Sequence, residues 1–88
     1  MRADTTADIG GQTREVLARI DALLAEAGTS RDRLLTASIY LKAMSDFAAM
    51  NECWEKWLAS AADPARTTVQ AALASDNLLI EITVAAAA

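Results

Sequence analysis

The sequence contains no histidine, one cysteine and one proline among its 88 residues. The lone cysteine, Cys53, excludes an intrachain disulfide, a CxxC pair and a cysteine-based zinc site. The lack of histidine excludes a Ser–His or thiol–imidazole nucleophile. The composition therefore does not favour metal catalysis, and we expect no bound metal.

Long apolar runs and clustered basic residues are also missing. No apolar stretch reaches the roughly 18–20 residues needed to span a bilayer. The polar N-terminus, residues 1–6, lacks the apolar run of a signal peptide. The net charge of −4 argues against nonspecific nucleic-acid binding, which needs clustered Lys and Arg. We expect a cytoplasmic protein that binds neither a membrane nor nucleic acid.

Two amphipathic helices are predicted from apolar residues at three- and four-residue steps. The first covers residues 5–27, and Thr5 or Asp8 can cap its start. The second covers roughly residues 46–59, with Ser45 as its cap. Its inner stripe consists of Phe47, Met50, Trp54, Trp57 and Leu58. The spacing of the two tryptophans is more typical of a core than of a ligand platform.

Three strands are predicted at Leu34–Leu41, 65–73 and 78–86, with turn residues at 74–77 between the last two. Alternation in the first strand predicts one face with Leu35, Ala37, Ile39 and Leu41. The chain, residues 1–88, is thus one α+β domain of order α-β-α-β-β with both helices on one face of the sheet. The opposite face is predicted to carry Thr36, Ser38, Tyr40, Thr68, Gln70, Glu81 and Thr83. We expect another subunit to cover this half-polar face, since three strands leave exposed edges.

Five segments, taken in order, resemble the RidA (YjgF-like) family of enamine/imine deaminases, some of which are called L-PSP endoribonucleases. They are Ile9 to Leu17, Leu24 to Gly28, Ser45-Asp46-Phe47-Ala48-Ala49-Met50-Asn51-Glu52, Pro64-Ala65-Arg66 and Ile80-Glu81-Ile82. The resemblance implies a chorismate-mutase-like α+β fold, a mixed sheet and a homotrimer with clefts between subunits. It covers the last two-thirds of the family domain, so an N-terminally truncated form without the first three strands is expected.

The resemblance also implies an activity, the hydrolysis of 2-imino acids such as 2-iminopropanoate to 2-oxo acids and ammonia, without metal or organic cofactor. Arg66 would hold the substrate carboxylate, and Glu81 would activate the attacking water. Asn51 and Thr68 would line the cleft, with Thr68 standing where many members have a cysteine. Two alternatives remain: a non-catalytic ligand-binding or interaction protein, and a ribonuclease, which the acidic charge disfavours.

The residues themselves leave both catalytic assignments open. By location alone, Arg66 is more simply a solvated charge at the start of a strand. Glu81 lies inside an apolar strand, where a carboxylate needs a partner such as an ion pair or an interface hydrogen bond. If the last two strands formed a hairpin, the two residues would lie roughly 16 Å apart. Either another strand lies between them, or they meet from different subunits.

Two further residues have open interpretations. Tyr40, on the face away from the helices, is expected to line an interface or to replace part of the missing cleft. Cys53 is most simply a small, half-buried residue.

Overall fold

The computed structural model describes residues 8–59, 61 and 63–87. The predicted order α-β-α-β-β is confirmed, with a single 3₁₀ turn before β1 and another before α2. The elements are α1 (Ile9–Glu26), β1 (Leu34–Leu41), α2 (Phe47–Trp57), β2 (Ala65–Gln70) and β3 (Ile80–Ala86). Neither helix is long and apolar enough to cross a membrane.

The start of α1 confirms Asp8 as the cap. Its carboxylate Oδ1 accepts a hydrogen bond from the backbone N–H of Gly11 at 2.8 Å, which satisfies one of the orphan donors of the first turn. Thr5, the other predicted cap, lies outside the described residues. After the helix, Gly28 adopts a φ of 78°, a left-handed conformation that glycine reaches without steric cost.

The predicted cap of α2 is wrong. Ser45 lies inside a 3₁₀ turn, Met44–Asp46, and Asp46 is the residue that precedes the helix. Its side chain makes no capping hydrogen bond. The helix is therefore entered from a tighter turn whose own backbone bond, from Asp46 N–H to the Ala43 carbonyl at 3.1 Å, replaces a side-chain cap.

The sheet has the order β2-β1-β3, so β1 is the central strand. β1 pairs in parallel with β2 and antiparallel with β3. The last two strands are thus not a hairpin, and of the two predicted arrangements the one with a strand between them is found. β2 ends earlier and β3 begins later than predicted, because residues 71–79 form a connection from one edge of the sheet to the other.

Gln12 of α1 holds this connection in place. Its fully buried side chain donates from Nε2 to the Asn77 carbonyl at 3.0 Å and accepts at Oε1 from the Leu79 N–H at 2.9 Å. One amide side chain thereby satisfies a backbone donor and a backbone acceptor of a segment that has left the sheet.

The core fills the space between both helices and one face of the sheet. That face carries Ala37, Ile39 and Leu41 of β1 and Ile80 and Ile82 of β3, all at most 3% exposed. The helices contribute Val16, Leu17, Ile20, Leu24, Met50, Trp54 and Leu58. Each fully buried large side chain contributes about 1.5–3 kcal/mol relative to exposure. The prediction that both helices lie on one face of the sheet is confirmed.

The predicted facing of Leu35 is wrong. This side chain is 58% exposed, whereas Leu34 is buried at 7%. The antiparallel register with β3 shifts at this point: Leu34 pairs with Ala86 and Thr36 with the adjacent Ala85, so β1 has one residue more than β3. Leu35 is the extra residue of a β-bulge, which turns Leu35 outward and leaves Leu34 and Ala37 both facing the core.

The predicted facing of Thr68 and Gln70 is also wrong. In the parallel register, Thr68 pairs with Ile39 and Gln70 with Leu41, and both partners are fully buried toward the helices. Neighbouring residues across a sheet share a face. Thr68 and Gln70 therefore lie on the helix side, and the outer face of β2 carries Thr67 and Val69 instead.

Candidate functional site

Arg66 lies on the helix side of the edge strand β2. It pairs with Ala37, whose side chain points into the core, so the arginine side chain is directed toward α2. The guanidinium carbon lies 5.6 Å from the ring centroid of Phe47 and 5.9 Å from that of Trp54. Cation–π contacts at these distances hold the guanidinium over the helix. A half-buried arginine is thus fixed at a defined place rather than freely solvated.

Asn51 orients this guanidinium. Nη1 of Arg66 donates to Oδ1 of Asn51 at 2.5 Å, and Nδ2 of Asn51 donates to Oε1 of Glu55 at 3.2 Å. Arg66 forms no ion pair with any described carboxylate. Its charge is therefore not offset by a bound carboxylate of the described residues, and most of its five donors remain for another acceptor.

A cleft of about 490 Å³ opens beside Arg66. Its lining comes from α2, from the segment that follows the helix and from the start of β2, namely Asn51, Trp54, Glu55, Leu58, Ala59, Ala61, Asp63, Pro64 and Arg66. The exposed lining is mainly polar, with Asn51, Glu55, Asp63 and Arg66 beside a smaller apolar part. Arg66 and Asn51, predicted from sequence as substrate-binding residues, share this cleft.

Thr68, the other predicted substrate-binding residue, does not line the cleft. Its Oγ1 is buried beneath the helices and has no hydrogen-bond partner among the described residues. A buried hydroxyl without a partner costs about 1–3 kcal/mol. In a single chain, this cost is not offset at Thr68.

Glu81 lies on the other side of the sheet from Arg66. It pairs with Tyr40, which alternates with the core residues Ile39 and Leu41, so both side chains lie on the outer face. Its half-buried carboxylate makes no hydrogen bond or ion pair with a described residue. From the two registers, the Cα atoms of Arg66 and Glu81 lie about 14 Å apart. One chain does not bring these two groups onto one small substrate.

Sequence reasoning missed two carboxylates of the cleft, Glu55 and Asp63. Both are exposed, and neither forms an ion pair with a described basic residue. Glu55 carried a usable signal, since it follows Asn51 by four residues and the two therefore lie on one face of α2. Asp63 carried none, because it lies in the connection between α2 and β2, where no periodicity relates it to Asn51 or Arg66.

The predicted roles of other residues agree with their surroundings. Trp54 is 5% exposed and belongs to the core, while its edge also contacts the Arg66 cleft. Trp57 packs against the core from the side, and Cys53 is half-buried. No group of three or more metal-binding side chains occurs within residues 8–59, 61 and 63–87.

This fold has counterparts among known proteins. The family model described as Endoribonuclease L-PSP matches residues 3–88. A RutC family protein of Haemophilus influenzae is 43% identical over 75 residues, which are 85% of this chain and 65% of the relative. A solved member of the YjgF protein family from Neisseria meningitidis superposes with a TM-score of 0.93 at 41% identity, over 98% of this chain and 72% of that one.

A more distant solved structure contains a ligand. TdcF of Escherichia coli, with bound serine, has a TM-score of 0.84 and 27% identity, over 93% of this chain and 67% of that one. Together, the two helices packed on a mixed three-stranded sheet define a YjgF-type α+β domain. The chain belongs to the endoribonuclease L-PSP family, which includes the RutC and YjgF proteins. It spans about two-thirds to three-quarters of the length of these relatives.

Proposed function

We propose that this protein hydrolyses reactive 2-imino acids to 2-oxo acids and ammonia, in a site formed between copies of the chain. The observation that carries the proposal is Arg66, a guanidinium held over two aromatic rings at the edge of a cleft with no carboxylate bound to it. The serine bound to the relative TdcF supports a small ligand that carries a carboxylate.

Arg66 would bind the substrate carboxylate. One of its nitrogens is engaged by Asn51, which fixes the rotation of the guanidinium and leaves its remaining donors available. A bidentate arginine–carboxylate pair is stronger and more directional than a single ammonium contact. Shielded from water, such a pair contributes about 1.5–3 kcal/mol to binding.

Glu81 would act on the water that attacks the imine carbon. A water oxygen forms the new bond to this carbon, the carbon–nitrogen bond breaks, and the nitrogen leaves as ammonia after it gains protons. A carboxylate beside the water can accept its proton and pass a proton to the departing nitrogen. One imino acid and one water thus give one 2-oxo acid and one ammonia.

A site with both groups requires a second copy of the chain, because Arg66 and Glu81 lie on opposite faces of one sheet. The outer face of that sheet carries half-polar side chains and the exposed side chains of Leu35 and Val69. This face is suited to association, and we propose the homotrimer that the family resemblance implies. In each cleft, Arg66 and Asn51 of one protomer would meet Glu81 of its neighbour.

The second candidate is a non-catalytic protein that binds small carboxylates. It is favoured by the separation of Glu81 from Arg66, since the guanidinium cleft alone can bind an acid without hydrolysing an imine. Both candidates predict carboxylate binding by Arg66. They differ in turnover and in the need for Glu81.

The deciding experiment generates 2-iminopropanoate enzymatically in the presence of semicarbazide, which traps unreacted imine. A deaminase diverts the imine to pyruvate and lowers the yield of semicarbazone. The matched control is Glu52→Gln, the same substitution at an exposed carboxylate that is paired with Lys56 on the surface of α2. Hydrolysis by the parent and the control, but not by Glu81→Gln, supports the deaminase. A parent that leaves the semicarbazone yield unchanged contradicts it.

A further inference from the structure

The cleft beside Arg66 has an uneven charge distribution. Its described lining contains one cation, Arg66, and two carboxylates, Glu55 and Asp63. A site built only to bind the carboxylate of a small acid gains nothing from two negative side chains, because they repel the ligand that the guanidinium attracts. These carboxylates therefore need a separate explanation.

Neither carboxylate is neutralised within the described chain. Glu55 accepts one hydrogen bond, from the neutral amide of Asn51, and forms no ion pair. Asp63 forms no ion pair either. Elsewhere on the same helix, Glu52 is paired with Lys56 at 3.0 Å. The helix thus pairs the carboxylate outside this cleft and leaves unpaired the one that lines it.

The positions of the opposite charges are fixed relative to each other by Asn51. The Arg66 Nη1 to Asn51 Oδ1 distance is 2.5 Å, and the Asn51 Nδ2 to Glu55 Oε1 distance is 3.2 Å. With about 2.3 Å across the amide, the guanidinium and the carboxylate are separated by at most about 8 Å. A ligand in the cleft can therefore contact both, with an anionic group at one end and a cationic group at the other.

The volume of the cleft also exceeds what a three-carbon acid needs. About 490 Å³ lies within the range of pockets that enclose much larger ligands. The half-buried residues Ala61 and Pro64 provide a small apolar wall along which an aliphatic chain can pack. The lining thus offers a guanidinium, an apolar wall and two carboxylates, a combination that suits a basic amino acid skeleton.

We infer that this cleft selects 2-imino acids with a positively charged side chain, such as the imine derived from arginine, and that Glu55 and Asp63 determine this specificity. The inference rests on the proposed function and names its substrate class. Arg66 binds the carboxylate, while Glu55 and Asp63 bind the side-chain cation. Acidic side chains are rejected by like-charge repulsion, which is as much a part of specificity as attraction.

The test compares imines whose side chains carry a positive, no or a negative charge. An amino acid oxidase generates the imine of arginine, of citrulline and of glutamate in separate reactions, and semicarbazide traps what is not hydrolysed. Citrulline is the neutral counterpart of arginine, with a ureido group in place of the guanidinium. We expect kcat/KM for the arginine imine to exceed that for the citrulline imine about tenfold, with the glutamate imine poorest.

Variants assign the preference to the two carboxylates. Glu55→Gln and Asp63→Asn should each lower the arginine-to-citrulline ratio about threefold, and the double variant should bring it close to one. Glu52→Gln on the same helix is the matched control and should leave the ratio unchanged. Circular dichroism checks that every variant is folded. A parent ratio within twofold of one, or a ratio that survives in the double variant, overturns the inference.

Failure of the inference is separable from failure of the proposed function. A parent active on 2-iminopropanoate alone overturns only the inference, whereas a parent that hydrolyses neither 2-iminopropanoate nor any of the three imines contradicts the deaminase proposal. Calorimetric titration with the 2-oxo acids of arginine and citrulline then still decides the specificity, because it measures binding alone. Tighter binding of the cationic acid that is lost in the double variant supports the inference, and equal binding of the two acids overturns it.

Discussion

Among the described residues, two arginines lie against tryptophan rings, and they differ in the charge of their side-chain partner. Arg31 is paired with Asp21 through two hydrogen bonds, Nε to Oδ1 at 3.1 Å and Nη2 to Oδ2 at 2.6 Å, and its guanidinium carbon lies 4.9 Å from the ring centroid of Trp57. Arg66 lies 5.9 Å from that of Trp54, but its side-chain partner is the neutral amide of Asn51.

The difference separates a structural arginine from a ligand-binding one. Around Arg31 the charged groups are paired with each other and with the helix. Nη1 of Arg31 also donates to the Trp57 carbonyl, and Nε1 of Trp57 donates to Asp21 at 2.9 Å. This corner ties α1, α2 and the turn before β1 together. Arg66 is positioned as well as Arg31 but lacks a counter-ion. We therefore expect loss of Arg31 to reduce stability and loss of Arg66 to reduce function.

The largest expected effect is that of Arg66→Ala on activity. Removal of the guanidinium should lower kcat/KM for imine hydrolysis roughly 100-fold, because a charge-assisted carboxylate contact is lost. The melting temperature should fall less than in Arg31→Ala, because one hydrogen bond and two cation–π contacts are lost but no ion pair is broken. Arg66→Lys should recover only part of the activity, as an ammonium does not reproduce the planar fork. An Arg66→Ala variant as active as the parent would remove Arg66 from the site.

Next in size is the effect of Arg31→Ala on stability. The bidentate pair, the bond to the Trp57 carbonyl and the stacking are lost together, and the free energy of unfolding should fall by about 2 kcal/mol. Both side chains are about one-third exposed, so solvent screening keeps the effect below that of a buried pair. Urea denaturation measures it. Activity per folded molecule should be unchanged, and a large loss of activity at full folding would contradict the division of roles.

A single substitution should make the Arg66 region resemble the Arg31 corner. Asn51→Asp places a carboxylate where the amide oxygen contacts Arg66, so an internal ion pair forms and competes with the substrate. We expect KM to rise about tenfold, with no gain in stability, because repulsion from the Glu55 carboxylate that now accepts from the amide offsets the new ion pair. Asn51→Ala, which removes the amide without adding charge, is the control. If both variants have the same KM, competition for the guanidinium is not the cause.

The smallest expected effect is that of Trp57→Phe. The aromatic ring remains, but the hydrogen bond from Nε1 to Asp21 is lost, which should lower the free energy of unfolding by about 0.5–1 kcal/mol. Urea denaturation of Trp57→Phe alone and in combination with Arg31→Ala provides the measurement. If Trp57→Phe lowers the free energy of unfolding less in the Arg31→Ala background than in the parent, both residues act through Asp21. Strict additivity would show that they act independently.

Much of the fold was predictable from the spacing of apolar residues. β1 has the predicted bounds, and the inner stripe of α2 is the predicted one. The bulge at Leu35 was not predictable, since the alternation from Leu35 to Leu41 continues unbroken in the sequence. Only the pairing with β3 shows where the extra residue lies.

The orientation of β2 was missed for a different reason. Its residues are polar or small on both faces, so hydrophobicity does not determine which side faces the helices. The succession of β1, α2 and β2 is a β-α-β unit, for which parallel pairing is the usual outcome, and that signal was available. Parallel pairing alone would not have placed Arg66 on the helix side, because a one-residue shift in register reverses the facing of the strand. The approach of Asn51 to Arg66 depends on this register and does not follow from spacing alone.

The central claim is that Arg66 of one protomer acts with Glu81 of another, and subunit mixing tests it most directly. Arg66→Ala and Glu81→Gln are each expected to be inactive alone. Refolded together in equal amounts, they should regain about a quarter of the parent activity, because one in four interfaces then combines an intact Arg66 with an intact Glu81. Mixed oligomers that form but remain inactive would contradict a shared site.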